Sequence, residues 1–185
     1  MASSVDAFCA QTLAFLALPF LLLETYGRSA LQAGLLLTAW PLAIVTVAPV
    51  SGWLIGRYSD GLLGGLGMAV FAAGLWLLAL LPAQPSDLDV IWRLALCGAG
   101  FALFQSPNNH TIVRSTPVQR SGAGSAMLGT ARLTGQTLGA IILATLFAVW
   151  PDHGGTAEMV ALAGAGIFAL VAGVCSSLRV RQPRP

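Results

Sequence analysis

Six stretches of the chain contain no aspartate, glutamate, lysine or arginine: Phe8–Leu23, Ser29–Gly56, Gly61–Ser86, Leu94–Val113, Leu133–Pro151 and Met159–Leu178. Crossing the hydrocarbon core of a bilayer takes about 20 mostly apolar residues in a helix. In that solvent every backbone amide has to be satisfied within its own segment, which selects helix over irregular chain. The pattern therefore predicts six transmembrane helices, over roughly Val5–Glu24, Ala30–Arg57, Leu62–Leu81, Val90–Ile112, Gly122–Trp150 and Ala157–Leu178. A short tail, 179–185, follows the last one. These spans use nearly the whole chain, so the expected fold is an all-α membrane protein, a single bundle over residues 1–185 with no soluble domain.

The spans are punctuated in ways that describe their packing. Pro19 falls near the end of the first span, and Pro41 and Pro49 fall in the second. Each proline removes a backbone donor, which a bundle tolerates where neighbours cover the freed carbonyl. Small residues recur at four-residue spacing, at Gly52 and Gly56, Gly61 and Gly65, Gly135 and Gly139, and along Ala161, Ala165, Ala169 and Gly173. Such pairs let helix backbones approach closely in lipid. Trp53, Trp76, Trp92 and Trp150 lie toward span ends, where amphipathic rings anchor a helix at the membrane interface.

Composition removes the soluble alternatives. Hydrophobic residues are 56% of the chain and charged residues 9%, with a mean hydropathy of +0.80. A soluble domain of this size carries roughly 46 charged residues; this chain has 9 basic and 7 acidic ones. A net charge of +2, all of its basic groups arginine and scattered, offers no nucleic-acid surface. Cys9, Cys97 and Cys175 stand far apart inside apolar stretches and read as small buried residues, not as a metal or disulfide framework. No cofactor motif is present. Met1–Asp6 lacks a basic leader, so the first apolar stretch is expected to remain as a span.

Charge also orients the bundle. Arg57, then Arg114 and Arg120, then Arg179, Arg181 and Arg184 occupy alternate connections and the tail. Glu24, Asp87 with Asp89, and Asp152 with Glu158 occupy the others. Arginine-rich short loops stay cytoplasmic, so both termini are expected inside a plasma membrane.

Polar groups at membrane depth mark cavities or helix-locking contacts. Arg132 is the most conspicuous, and Ser125, Gly129, Arg132 and Gln136 fall on one face of the fifth span. The fourth span offers Gln105, Asn108 and Asn109 near its inner end, with Phe101 one turn earlier. Either they line a substrate cavity, or Arg132 bonds Gln105, Asn108 or a helix end and holds two helices together. All seven acids fall in loops or at span ends, and His110 and His153 read as solvated groups. No hydrolase triad, phosphate loop or zinc-protease helix occurs, so no catalytic residue is assigned and an enzyme is not expected.

Several segments resemble the C-terminal half of the fourteen-span drug:proton antiporters of the major facilitator superfamily. They are Phe8-Cys-Ala-Gln-Thr-Leu-Ala-Phe with Leu18-Pro-Phe, Ser29-Ala-Leu-Gln-Ala-Gly and Trp40-Pro-Leu-Ala. More specific are Gly100-Phe-Ala-Leu-Phe-Gln-Ser-Pro-Asn-Asn and Arg120-Ser-Gly-Ala-Gly-Ser-Ala-Met-Leu-Gly-Thr-Ala-Arg, followed by Gly135-Gln-Thr-Leu-Gly. These last segments are similar to the methyl viologen and quaternary-ammonium exporters. The resemblance implies that the six helices form one half-bundle of the major facilitator fold, two inverted three-helix repeats, in a bacterial inner membrane. It implies proton-coupled export of small lipophilic cations by alternating access, with Phe15, Phe101, Phe104, Gln105, Asn108 and Asn109 as cavity candidates. Ser125, Arg132 and Gln136 would organise the fifth helix.

The turn after the second span resembles the superfamily's cytoplasmic loop motif at Gly52 and Arg57, but Gly56 stands where the motif has an acid. Asp60 follows and is the candidate substitute. One bundle has no counterpart to rock against, so the resemblance implies a partner, either a missing N-terminal half or another copy of the chain. The alternative expectation is a truncated, non-transporting membrane fragment or an accessory membrane subunit.

Overall fold

The computed structural model describes residues 2–114, 121–151 and 155–178. Arg120, Asp152, His153 and the tail 179–185, on which part of the orientation argument rests, lie outside the described residues. The described residues form seven α-helices: α1 Ala2–Phe20, α2 Ala30–Leu37, α3 Ala39–Leu54, α4 Asp60–Ala79, α5 Asp87–Arg114, α6 Ser121–Val149 and α7 Thr156–Leu178. Among the described residues, five helical segments are long and apolar enough to cross a membrane: Ala2–Thr25, Ala30–Leu54, Asp60–Ala79, Gly122–Val149 and Thr156–Leu178. At 28 residues α5 has the length, but its polar groups make it the least apolar of the long helices.

Local chemistry sets where these helices start, break and stop. Pro19 is followed directly by one wide turn of π-helix, Leu21–Thr25. Ser29 and Gln32 close a reciprocal capping box at the start of α2. The second predicted span is not one helix. Pro41 has no N–H to return to the Leu37 carbonyl, and the helix breaks at Thr38, between α2 and α3. It ends at Leu54, so the last residues assigned to that span form a tight turn in which Gly56 takes φ +92°. Pro49 and Pro107 are carried inside α3 and α5 without a break.

Across the bundle the neighbours run α6, α1, α7, α4, α5, α3. The centre is buried most deeply and the two flanking helices least. Glycines set the closest crossings. A Cβ added at Gly67 on α4 would lie 2.7 Å from the Gly100 carbonyl oxygen and 2.7 Å from the Phe104 nitrogen of α5. One at Gly139 on α6 would lie 2.7 Å from the Cys9 carbonyl oxygen of α1, and Gly135 sits against the same helix at Val5 and Phe8. Ala161, Ala165 and Ala169 are wholly buried on α7. Of the small residues read from sequence, Gly135 with Gly139, Gly65 against α7, and the α7 stripe are helix contacts. Gly52 is exposed with open space about it, and Gly56 serves the turn.

Candidate functional site

Aromatic side chains on α1, α3, α4 and α5 meet in one continuous set of contacts, edge-on except for the tilted Phe101–Phe104 pair. Phe101 is the hub: its ring lies 5.6 Å from Phe71, 5.9 Å from Phe8 and 6.4 Å from Phe104. Phe71 continues to Trp40 at 5.6 Å, and Trp40 to Phe15 at 6.2 Å. Edge-to-face geometry suits the ring quadrupoles. The cluster separates the cavity candidates into two kinds. Phe101 and Phe104 are 1% exposed, inside the bundle, whereas Phe15 is 46% exposed at its edge. Gln105 is half-buried.

Asn108 is taken up by the first helix. Its Nδ2 donates to Ser4 Oγ at 3.1 Å, and Ser4 Oγ donates back to Asn108 Oδ1 at 3.3 Å, both residues buried. Asn109 is half-buried, with its Oδ1 shielded from solvent and without a hydrogen-bond partner.

On α6, Ser125, Arg132 and the half-buried Gln136 occupy the face predicted from their spacing. Arg132 is exposed, and its guanidinium carbon lies 5.6 Å from the centre of the Phe8 ring. Of the alternatives open for Arg132, the contact that the structure shows is with an aromatic face on α1.

At one end of the bundle, Asp60 is engaged by α5. Thr111 Oγ1 donates to Asp60 Oδ2 at 2.9 Å, and His110 Nδ1 lies 3.0 Å from the same oxygen. His110 is therefore half-buried and paired, not the solvated group that its position suggested. Arg57 turns away from this carboxylate and places its guanidinium 3.5 Å from the Trp53 ring centre. Within the loop motif, Gly52, Arg57 and Asp60 consequently act apart: Asp60 holds α4 to α5, and Arg57 covers an exposed tryptophan.

The opposite end is laced by arginines. Arg28 reaches Asp87 at 2.8 Å and donates to the Pro85 carbonyl at 2.9 Å. Arg93 donates to the Leu77 carbonyl at 2.9 Å and lies 3.7 Å from Asp89. Burial pushes the Tyr26 phenol above its ordinary pKa, and the positive charge of Arg93 acts in the opposite direction. Glu158, read as a loop acid, is 2% exposed in the first turn of α7. Sequence reasoning missed Ser4, His110, Trp40 and Phe71 as members of these contacts. Only helix phase, unknown before the helices pack, brings them to the partners they meet. Among the described residues no group of three or more histidine, cysteine or acidic side chains is placed to hold a metal ion.

Comparison with known proteins adds the frame. The family model for the Major Facilitator Superfamily matches residues 1–185. The chain is 53% identical over 182 residues to the uncharacterized transporter YebQ of Escherichia coli, covering 98% of this chain and 39% of that protein. It is 31% identical over 131 residues to the riboflavin transporter RibZ of Clostridioides difficile (71% of this chain, 29% of that protein). The multidrug resistance protein Stp of Mycobacterium tuberculosis is 29% identical over 124 residues (67% of this chain, 23% of that protein). The chain thus spans about two fifths or less of these relatives. With a membrane-length helical bundle and a family match over its whole length, the chain belongs to the Major Facilitator Superfamily, a family of membrane transporters and not of enzymes.

Proposed function

We propose that the chain forms the C-terminal half-bundle of an exporter that works by alternating access against a second bundle. The observation that carries this reading is the exposure of Arg132. It lies eleven residues into α6, about 16 Å from the helix start at 1.5 Å per residue, and is exposed on the surface of this bundle. An arginine facing lipid at a helix centre costs about 2.5–3.5 kcal/mol by insertion scales and more in simulations. A covering bundle, with water or polar groups between, relieves that cost. The same face carries Ser125 and Gln136, with Phe15 and Gln105 on neighbouring helices at the bundle edge. They are the residues we assign to the substrate pathway. Phe101 and Phe104 support it from behind, and Asn108 holds α5 to α1.

Six crossings in two inverted repeats complete the reading, with α2 and α3 as one broken crossing and α5 as the fourth. The packing supports it: α1 on α6 corresponds to α5 on α3, α1 on α7 to α5 on α4, and α4 on α7 to itself. Three crossings per repeat invert the second against the first, as in carriers built from such repeats. Both termini then lie on the cytoplasmic side of the inner membrane. The names of the relatives Stp and RibZ make drug or small-molecule movement the expected activity. The motif segments favour lipophilic or quaternary cations driven by protons.

An efflux assay in a pump-deficient bacterium tests this. The chain is expressed alone and beside an N-terminal half from a transporter of this family, with methyl viologen and ethidium as probes. Export only with the partner is the expected result. Export by the chain alone replaces the second bundle with another copy. No export in either state, with the protein inserted, leaves a non-transporting fragment or accessory subunit and overturns the reading.

A further inference from the structure

A second feature, at the other end of the α1–α6 seam from Arg132, has the chemistry of a cation site. At the end of the bundle opposite Asp60, the last turns of α1 and α6 enclose a half-open cleft of about 270 Å³ lined by Phe20, Glu24, Phe147, Trp150 and Pro151. Three of the five walls are aromatic. Phe20 and Phe147 meet edge to face at 5.1 Å and 75°, which turns one ring face away from the other and leaves it open. The fourth wall is a carboxylate. Glu24 reaches the cleft because it sits on the π-turn Leu21–Thr25, whose wider winding displaces side chains from the register that α1 would otherwise continue.

We infer that this cleft binds a monovalent organic cation with an apolar body, the charge facing Glu24 and the body lying against Phe20, Phe147 and Trp150. Aromatic faces attract a cation through their quadrupole, by about 0.5–2 kcal/mol per ring according to how far it is desolvated. A carboxylate beside them selects charge over a neutral body of the same shape. The volume falls just below the range of about 300–1,000 Å³ for small-molecule pockets, enough for a compact aryl or alkyl ammonium or phosphonium ion. A simple metal cation is disfavoured, since one carboxylate among rings supplies too few oxygen ligands. An anion is excluded by the same carboxylate. The site lies at a helix end, not at mid-bundle, and it deepens the export reading by giving the cation a second station near the outer surface. That side assignment rests on the proposed orientation; the binding chemistry does not.

Phenyltrimethylammonium binding to the full chain in lipid nanodiscs tests the site, with empty nanodiscs subtracting partition into lipid. The readout is quenching of Trp150 fluorescence, isolated by comparison with Trp150→Phe. Saturable quenching is expected, with about tenfold weaker binding for Glu24→Gln, near-native binding for Glu24→Asp, and weaker binding of the neutral isostere tert-butylbenzene. Phe147→Leu lowers affinity for the cation while leaving the melting temperature within a few degrees. Equal binding by Glu24→Gln, or equal binding of the neutral probe, overturns the proposal. Because the assay needs no transport, export without Glu24-dependent binding removes this site and keeps the export reading. Glu24-dependent binding without export does the reverse.

Discussion

Ser4 and Asn108, 104 residues apart in sequence, exchange two hydrogen bonds of 3.1 and 3.3 Å and bury each other between α1 and α5. Each is polar at a buried position, and each supplies the other with one donor and one acceptor. Replacing one takes two hydrogen bonds from the other; replacing both removes their donors and acceptors together. A double-mutant cycle of Ser4→Ala and Asn108→Ala should therefore be non-additive. The coupling is expected at about 0.6 and at most about 1.7 kcal/mol, the range for hydrogen bonds between membrane helices. Reversible unfolding of the four variants in mixed detergent micelles measures it, and additive losses would mean that the pair does not cooperate.

The helices and the membrane class were legible in sequence because both depend on local composition. Long uncharged runs announce helix in lipid whatever they pack against. Arg132, Ser125 and Gln136 were legible for the same reason, since three residues on one helix share a face by geometry alone. The contacts were not. That Asn108 meets Ser4, or Asp60 meets His110 and Thr111, depends on how separate helices rotate about their axes. Periodicity on nearly uniformly apolar helices says little about that rotation. The break at Thr38 was half legible. Pro41 marked a weakened carbonyl, but whether a neighbour repairs it is decided by packing.

Glycine spacing was a partial guide to the crossings, and the remainder makes a prediction. Gly67 and Gly100 are in no four-residue pair with another glycine, yet each lies against the other's backbone. Gly67→Leu forces α4 away from α5, and overpacking of this kind costs about 1–3 kcal/mol or more. Gly164→Ala, where a Cβ meets nothing within 4 Å, should be neutral or slightly stabilising by up to about 1 kcal/mol. Thermal melts of the two purified variants should separate clearly. Equal melting temperatures would show that the α4–α5 crossing is looser than these contacts require.

At the start of α4, the pairing of Asp60 with α5 separates its role from that of Arg57. Asp60→Ala removes the acceptor of both Thr111 and His110, and unpairing half-buried polar groups costs about 1–3 kcal/mol. The loss should be local. Hydrogen exchange of the first turn of α4 and the last turns of α5 is expected to accelerate, with the centre of the bundle unchanged. His110→Ala should give a smaller version of the same pattern. Arg57→Ala, which removes only a cation resting on the exposed Trp53 ring, should leave these amides as they were. Faster exchange in Arg57→Ala equal to that in Asp60→Ala would restore the loop charge pair that Gly56 interrupts.

Arg132 distinguishes a bundle that faces lipid from one that faces a partner. Its guanidinium over the Phe8 ring contributes about 0.5–1 kcal/mol at an exposed site, less than its exposure to hydrocarbon costs at that depth. If α6 faces lipid, Arg132→Leu improves the chain in every respect. If a second bundle covers this face, the same change removes the polar group around which the two halves meet. The expected outcome is split. Arg132→Leu alone should insert at least as well as the native chain and melt no lower. Co-purification with an N-terminal half should fall about tenfold, and efflux should fall with it. Arg132→Lys, keeping charge but not the planar stack on Phe8, should retain pairing and part of the efflux. Unchanged pairing in Arg132→Leu would place α6 against lipid and take away the observation on which the two-bundle reading stands.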